Sequence, residues 1–501
     1  MIPVMKTLPY DLYRAEQVRE LDRLAIEYYG ISGTALMATA GQVLFDEIRL
    51  SWPRLRQLAV LVGGGNNGGD GYVVARLAKQ AGLEVEVYYL VEPTHLSGDA
   101  RHAWEEAEAA GVSMINYDGQ RIDGHELIVD ALLGTGLKGP VEGVWAEAIT
   151  AINEAPCPVI AADIPSGLSA DSGCVQACAV QADITVTFIG LKRGLFTADG
   201  PDHCGRLVFS DLNVPAEVYG HLAPAAQRID YTSLSSLLAP RRFASNKGDY
   251  GHVLVVGGDL GMSGAARMAA EGAARVGAGL VSVATRAAHA SMISSTRPEL
   301  MCHGIEEAEA LMPLLHRASV VAIGPGLGQG EWGRAMLACI LESHLPLVLD
   351  ADALNLLAVE PLRHDKWVLT PHPGEAARLL GCTAADIQQD RFSAVASLEA
   401  SYGGITVLKG CGTLVLGGDG ETSLCSEGNP GMAVGGMGDV LTGVIAALIA
   451  QGLGLREAAR LGVVIHAAAA DSAVVHDGER GLMASDLFSH LRRLANPNKR
   501  Q

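Results

Sequence analysis

Residues 58–71 read LAVLVGGGNNGGDG, and residues 428–443 read GNPGMAVGGMGDVLTG. In the first stretch an apolar run, Leu58–Val62, enters a glycine-rich turn, and Tyr72–Ala81 follows with helical spacing. Glycines let backbone N–H groups approach an anion, and the start of a helix favours negative charge. The turn is neither a GxGxxG fingerprint nor a P-loop, since it lacks the Lys-Ser/Thr pair. The second stretch places Gly435, Gly436, Met437, Gly438 and Asp439 before an apolar helical run, Val440–Ala450. A strand, a glycine turn and a helix make the repeating unit of a parallel α/β fold.

The pattern extends outward from both stretches. In the first half Val85–Leu90, Leu127–Ala131, Val159–Ala162, Ile184–Ile189 and Leu207–Phe209 read as strands, and Ala100–Ala110 and Val144–Asn153 as helices. A helix pair, Tyr13–Tyr28 and Thr34–Leu50, precedes them. The alternation lapses from Pro215 to Pro240, and the turn-rich APRRFASNKGDYG marks a boundary. It resumes with HVLVVGG, SVVAIGPGLG, LPLVLDADALNLLA, WVLTPHPGEAARLLG and GITVLKG. A length of 501 residues by itself favours two to four domains, and the lapse in the pattern makes the expected fold α/β in two domains.

Composition narrows the function classes. The 60 glycines fall in clusters rather than at a fixed period, which excludes a fibre. A formal net charge of −19 leaves no broad basic footprint, so no nucleic-acid partner is expected. Nine scattered cysteines, with only Cys174 and Cys178 closely spaced, read as idle thiols rather than a zinc site. The N-terminus has no apolar core of a signal peptide, and Val440–Leu455 is short for a membrane span. A cytoplasmic chain without a membrane partner is expected.

Ligands of open parallel sheets bind at the C-terminal strand ends, and the unusual residues lie there. In the first half these are Asn66, Asn67, Gly68, Gly69 and Asp70, then Asp130 with Gly134-Thr135-Gly136, then Asp163 and Ser166, and finally Lys192. Asp130, Asp163 and Ser166 offer hard oxygen ligands for a cation beside an anionic substrate. Lys192 can pair with Asp163, either as a proton relay or as a brace for the sheet. In the second half, amides at the start of the Val440–Ala450 run can take the charge of a phosphoryl group in transit. Asp439 can accept the proton of an attacking hydroxyl. The loop from Lys409 to Thr413 can hold nucleotide phosphates, and His372 within TPHPGE is either structural or part of the site.

Together, GNNGGDG, VDALLGTG and DIPSGL resemble the NAD(P)H-hydrate epimerase domain. NKGDYGHVLVVGG, IGPGLG, DADALN, TPHPGE, VLKG and GNPGMAVGGMGDVLTG resemble the ADP-dependent NAD(P)H-hydrate dehydratases of the ribokinase-like superfamily. The tandem is similar to the bifunctional NAD(P)H-hydrate repair enzymes over nearly the whole chain. The resemblance implies a Rossmann-like three-layer sandwich over 1–220 and a ribokinase-like domain over 234–501. It implies interconversion of R- and S-NAD(P)HX, then dehydration of the S form to NAD(P)H as ADP becomes AMP and phosphate. By the same resemblance Asn66–Asp70, Gly134, Thr135, Gly136, Leu137, Lys138, Gly139, Pro140 and Asp163 contact the hydrate. Asn67, Asp130 and Ser166 would hold K+, and Asp163 and Lys192 would be catalytic. In the second domain Ala265, Gly326, His372 and Asp439 would contact the hydrate, Asp439 as the base. Lys409, Gly410, Cys411, Gly412, Thr413 and Gly438 would hold the nucleotide with Mg2+. A homo-oligomer is implied as well. Two positions depart from the family pattern: Gly64 stands where lysine is common, and Met437 where threonine is usual.

An ordinary hydroxyl kinase is the rival reading, because ribokinase-like domains commonly phosphorylate vitamins and sugars. A binding module with a silent first domain is another, and the presence of Asp163 and Lys192 argues against it.

Overall fold

The computed structural model describes residues 8–418 and 420–497, so part of the N-terminal stretch read above for a signal peptide, residues 1–7, lies outside them. The chain divides into two units, Met1–Gln227 and Arg228–Gln501. The turn-rich segment 239–251 lies inside the second unit rather than at this division.

The main sheet of the first unit runs in the order Ser113–Asn116, Glu84–Tyr89, Gln57–Val62, Leu127–Ala131, Val159–Ala162, Ile184–Phe188, Arg206–Ser210, all parallel. Alternation along Gln57–Val62 explains its two faces. Leu58, Val60 and Val62 pack into one apolar cluster with the helices Gly33–Ser51 and Asn66–Gln80, while Ala59 and Leu61 pack into another with Val144–Glu154. Each fully buried Val or Leu side chain contributes about 1.5–3 kcal/mol. The result is a three-layer sandwich. The chain order reverses at Gln57–Val62, which lies between the first and third strands that follow it, so a crevice opens above its C-terminal end.

A side ribbon was not foreseen. Asp11–Tyr13, expected to lead into a helix from Tyr13, is a strand, and the helix begins at Ala15. The strand pairs parallel to Leu191–Lys192, with Tyr13 opposite Lys192, and antiparallel to Ala226–Gln227. These short strands carry no alternation long enough to read.

The second unit has parallel strands in the order Met301–Gly304, Leu280–Thr285, His252–Val256, Val320–Ile323, Leu347–Leu349, Trp367–Leu369 and Ile405–Leu408. An antiparallel pair, Thr413–Leu416 and Ser423–Cys425, continues the sheet on this side. The helix Met437–Ala450 is buried almost all round and lies against Ser263–Val276 so closely that a Cβ at Gly443 would fall 1.8 Å from Ala269 O. The following helix, Leu455–Asp477, is long and apolar enough to cross a membrane by length and composition, with mean hydropathy 1.4 over its most apolar window. Two-thirds of that window is buried inside the fold, as in a core helix.

Candidate active sites

In the first unit the glycine turn becomes the opening of the helix Asn66–Gln80. Gly68 is obligatory there, because its Cβ position lies 2.1 Å from Gly63 O. Gly134 packs beside Asn67, its Cβ position 3.3 Å from Asn67 Cβ, so the 134–140 loop meets the helix start. Asp130 is fully buried at its strand end. Ser166 donates through Oγ to Asp130 Oδ1 (2.6 Å) and through N to Oδ2 (2.8 Å), and Leu132 N donates to Oδ1 (3.2 Å). Burial nevertheless pushes the Asp130 carboxyl up to about 6. Asn67 is 9% exposed, and neither its Oδ1 nor its Nδ2 has a partner. An orphaned buried amide is costly, which makes Asn67 a candidate ligand position.

Asp163 sits at the end of Val159–Ala162 in the left-handed region, φ 65°, a conformation that costs a non-glycine residue about 1–3 kcal/mol. The turn aims its carboxylate across the sheet, where Oδ1 accepts from Phe188 N (3.1 Å) and from Lys192 Nζ. Lys192 is fully buried, and Nζ also donates to Thr187 Oγ1 (2.9 Å) and Phe188 O (3.0 Å). The expected pair is therefore formed, with its carboxylate the more exposed member. Asp70 is buried nearby; burial, then Asp163, raises its carboxyl well above the usual range.

In the second unit Gly436 adopts φ 93° and turns the chain into the helix Met437–Ala450, whose first turn carries Gly438 and Asp439. The loop Lys409–Gly412 joins two antiparallel strands, but the Lys409 ammonium turns back from it. Nζ donates to Asp350 Oδ1 (2.6 Å) and lies 3.8 Å from Glu375 Oε2. A Cβ at Gly438 would lie 3.1 Å from Nζ, so the ammonium sits under the helix start. Thr442 Oγ1 donates to Asp350 Oδ2 (3.0 Å). Burial works against the charge on Asp350, but Lys409 holds its carboxyl below the usual value. Burial, then Asp350, pushes Asp439 up to about 7, against Lys409. His372 caps the helix Pro373–Leu380: its Nδ1 accepts from Gly374 N (2.9 Å), and its half-exposed ring lies 3.4 Å from Glu375. Burial lowers the imidazole pKa, so the ring is neutral at neutral pH. Ala265 and Gly326 meet, with a Cβ at Gly326 falling 3.2 Å from that of Ala265.

Sequence reasoning missed four of these groups as site residues. Asp350, Glu375 and Thr442 form the frame around Lys409. Arg391, fully buried, donates to Leu408 O (3.2 Å), Lys409 O (3.2 Å) and Gly412 O (3.4 Å), bracing the Lys409–Gly412 loop. DADALN and TPHPGE contain two of the four, and strand-end carboxylates were the available signal. Arg391 and Thr442 carried none.

Residues 33–194 match the family described as the YjeF-related protein N-terminus, and residues 253–493 match NAD(P)H-hydrate dehydratase. The bifunctional NAD(P)H-hydrate repair enzyme Nnr of Coxiella burnetii is 49% identical over 97% of this chain and 99% of its own length. That of Escherichia coli K12 is 44% identical, covering 98% and 95%. A solved ribokinase-like superfamily protein from Enterococcus faecalis V583 superposes with a TM-score of 0.50 at 29% identity, covering 54% of this chain and 95% of that one. With relatives this similar along its whole length, the chain belongs to the bifunctional NAD(P)H-hydrate repair enzyme family.

Proposed function

We propose that the chain interconverts R- and S-NAD(P)HX in its first domain, 1–220, and dehydrates the S form to NAD(P)H in its second, 234–501, converting ADP to AMP and phosphate. The observation that carries the reading is Asp439 at a glycine-opened helix start with the Lys409 ammonium beneath it. That arrangement suits phosphoryl transfer to a hydroxyl, and membership of the family supplies the hydroxyl, the one on C6 of the hydrate.

In the second domain Asp439 takes the proton of the C6 hydroxyl as its oxygen attacks the β-phosphorus of ADP, and AMP leaves. The amides at Gly436–Asp439 and the Lys409 ammonium take the charge on the phosphoryl oxygens. Loss of phosphate from C6, driven by the ring nitrogen, and of a proton from C5 restores the double bond. Mg2+ bound with the nucleotide would neutralise its phosphates. Lys409, Gly410, Cys411, Gly412, Thr413 and Gly438 seat the nucleotide, and Ala265, Gly326, His372 and Asp439 the hydrate.

In the first domain the C6–O bond breaks and re-forms on the other face. Asp163 and Lys192 assist the departing or arriving hydroxyl with a proton, beside the hydrate held by Asn66–Asp70 and Gly134–Pro140. Asn67, Asp130 and Ser166 would hold K+; the unpartnered amide of Asn67 beside two hard oxygen donors fits that ion. K+ would supply positive charge near the substrate's oxygens.

The test is incubation with purified epimers, with and without ADP, followed by chromatography. Both epimers should disappear with ADP, yielding reduced cofactor, AMP and phosphate. A phosphorylated product would instead support the kinase reading.

A further inference from the structure

The side ribbon delivers one more carboxyl to the Asp163–Lys192 pair. Tyr13 lies opposite Lys192, and the helix Ala15–Glu27 starts two residues later. Gly190 lets that helix come close, since a Cβ there would lie 2.9 Å from the Tyr13 ring and 3.2 Å from Val18. Asp22 follows Val18 by four residues and shares its face. On the same helix Arg19 Nη1 donates to Thr135 O (3.0 Å), in the loop assigned to the hydrate. The helix thus spans from the catalytic pair to the substrate loop, and it precedes the segment 33–194 that matches the N-terminal family.

Burial, then Asp163, pushes the Asp22 carboxyl up to about 6, with Lys192 opposing; Tyr219 and Asp70 also feel its charge. The charges of Asp22, Asp70 and Asp163 are thus all felt at one ammonium, and that ammonium bonds only to Asp163 among them. Among the described residues the carboxyls of Asp22 and Asp70 have no hydrogen-bond or ion-pair partner. Asp70 is buried and Asp22 half-buried, and carboxyls so placed without a partner are costly as packing.

Inversion at C6 sets a requirement that one relay does not meet. The hydroxyl must leave one face as water, taking a proton, while the ring nitrogen's lone pair forms the N1=C6 bond. Water must then add to the other face and surrender a proton there. No oxidant or co-reactant is needed, and the proton count is restored each time. We propose that Asp22 is the second proton-exchanging group of the epimerase site, serving the ring face opposite the one served by Asp163 and Lys192.

The proposal rests on the epimerase reading, and its test separates the two. R- and S-NADHX are incubated separately with the full chain in H2(18)O, inversion is followed by chromatography and oxygen incorporation by mass spectrometry. The parent should incorporate solvent oxygen with each inversion. Asp22→Asn should slow inversion by about 10²–10⁴, yet one epimer should keep exchanging its oxygen without inverting, because the Asp163 face still works. Asp163→Ala should leave the opposite epimer exchanging. Asp22→Glu, which keeps the carboxyl, should recover much of the inversion, and an unfolded domain would give neither exchange nor rescue. Normal inversion in Asp22→Asn, or exchange and inversion lost together in a variant that melts like the parent, overturns the assignment. If the parent itself neither inverts nor exchanges, the epimerase reading fails.

Discussion

Replacing Asp439 by asparagine should make the enzyme slower and more stable at once, and the two effects should part with pH. Burial and Asp350 raise this carboxyl from 3.8 to about 7, so its ionised form is held at a disadvantage in the folded protein. Between about pH 4 and pH 7 the unfolded chain ionises at this position while the folded chain stays protonated, and stability falls as pH rises through that window. Above pH 7 the loss is complete. A shift of this size corresponds to about 4 kcal/mol as a ceiling; allowing for the solvent that reaches the carboxyl, about 2 kcal/mol is expected. The asparagine side chain carries no charge and escapes this loss. Calorimetric melting of the full chain should therefore show the variant close to the parent near pH 4 and exceeding it by a growing margin up to pH 8, in the transition that ADP shifts upward. Turnover of S-NADHX, followed by the absorbance of reduced nicotinamide, should fall by about 10²–10⁴. In the parent, kcat/KM should drop about fivefold from pH 7 to pH 6, because only the ionised carboxylate accepts the proton. Equal stability gains at pH 5 and pH 8, or a flat rate profile between pH 5 and pH 8, would refute the assignment of Asp439 as the base.

Three further outcomes follow from the same geometry. Asp350→Asn removes the anion that fixes the Lys409 ammonium (2.6 Å) and should lower kcat by about 10², with nucleotide affinity measured by calorimetry much less affected. Gly68→Ala forces a Cβ to within 2.1 Å of Gly63 O; backbone on both sides cannot yield, so epimerisation should be lost while dehydration of the S form persists in the same preparation. Arg391→Lys cannot span the carbonyls of Leu408, Lys409 and Gly412, and KM for ADP should rise several-fold more than KM for the hydrate.

The residues that chemistry places at strand ends could be read in advance because glycine and charge are conspicuous beside apolar runs. Leu127–Ala131 and Val159–Ala162 are strands over the span their apolar content marks. The Asp163–Lys192 pairing was legible for the same reason, each residue following a strand of one sheet. Illegible groups act through distant partners. Thr442 looks like one more residue of a buried helix until it bonds Asp350, 92 positions earlier. Nothing in the sequence around Arg391 marks it, yet it is fully buried against carbonyls. Asp22 sits in an ordinary amphipathic pattern, and only the two-residue pairing of Leu12–Tyr13 with Leu191–Lys192 gives it a neighbour. Strands that short leave no periodic trace.

That ribbon also has a consequence for the order in which the protein can be made. Tyr13 leaves the ribosome long before Lys192, its partner across the ribbon. At about 5–20 residues per second the interval is on the order of 10–40 s. Through that time Val18, Leu21 and Leu24, which the finished protein buries, have their docking surface unfinished. The helix Ala15–Glu27 is a candidate client for chaperones during synthesis, because it is translated well before the residues it must settle against.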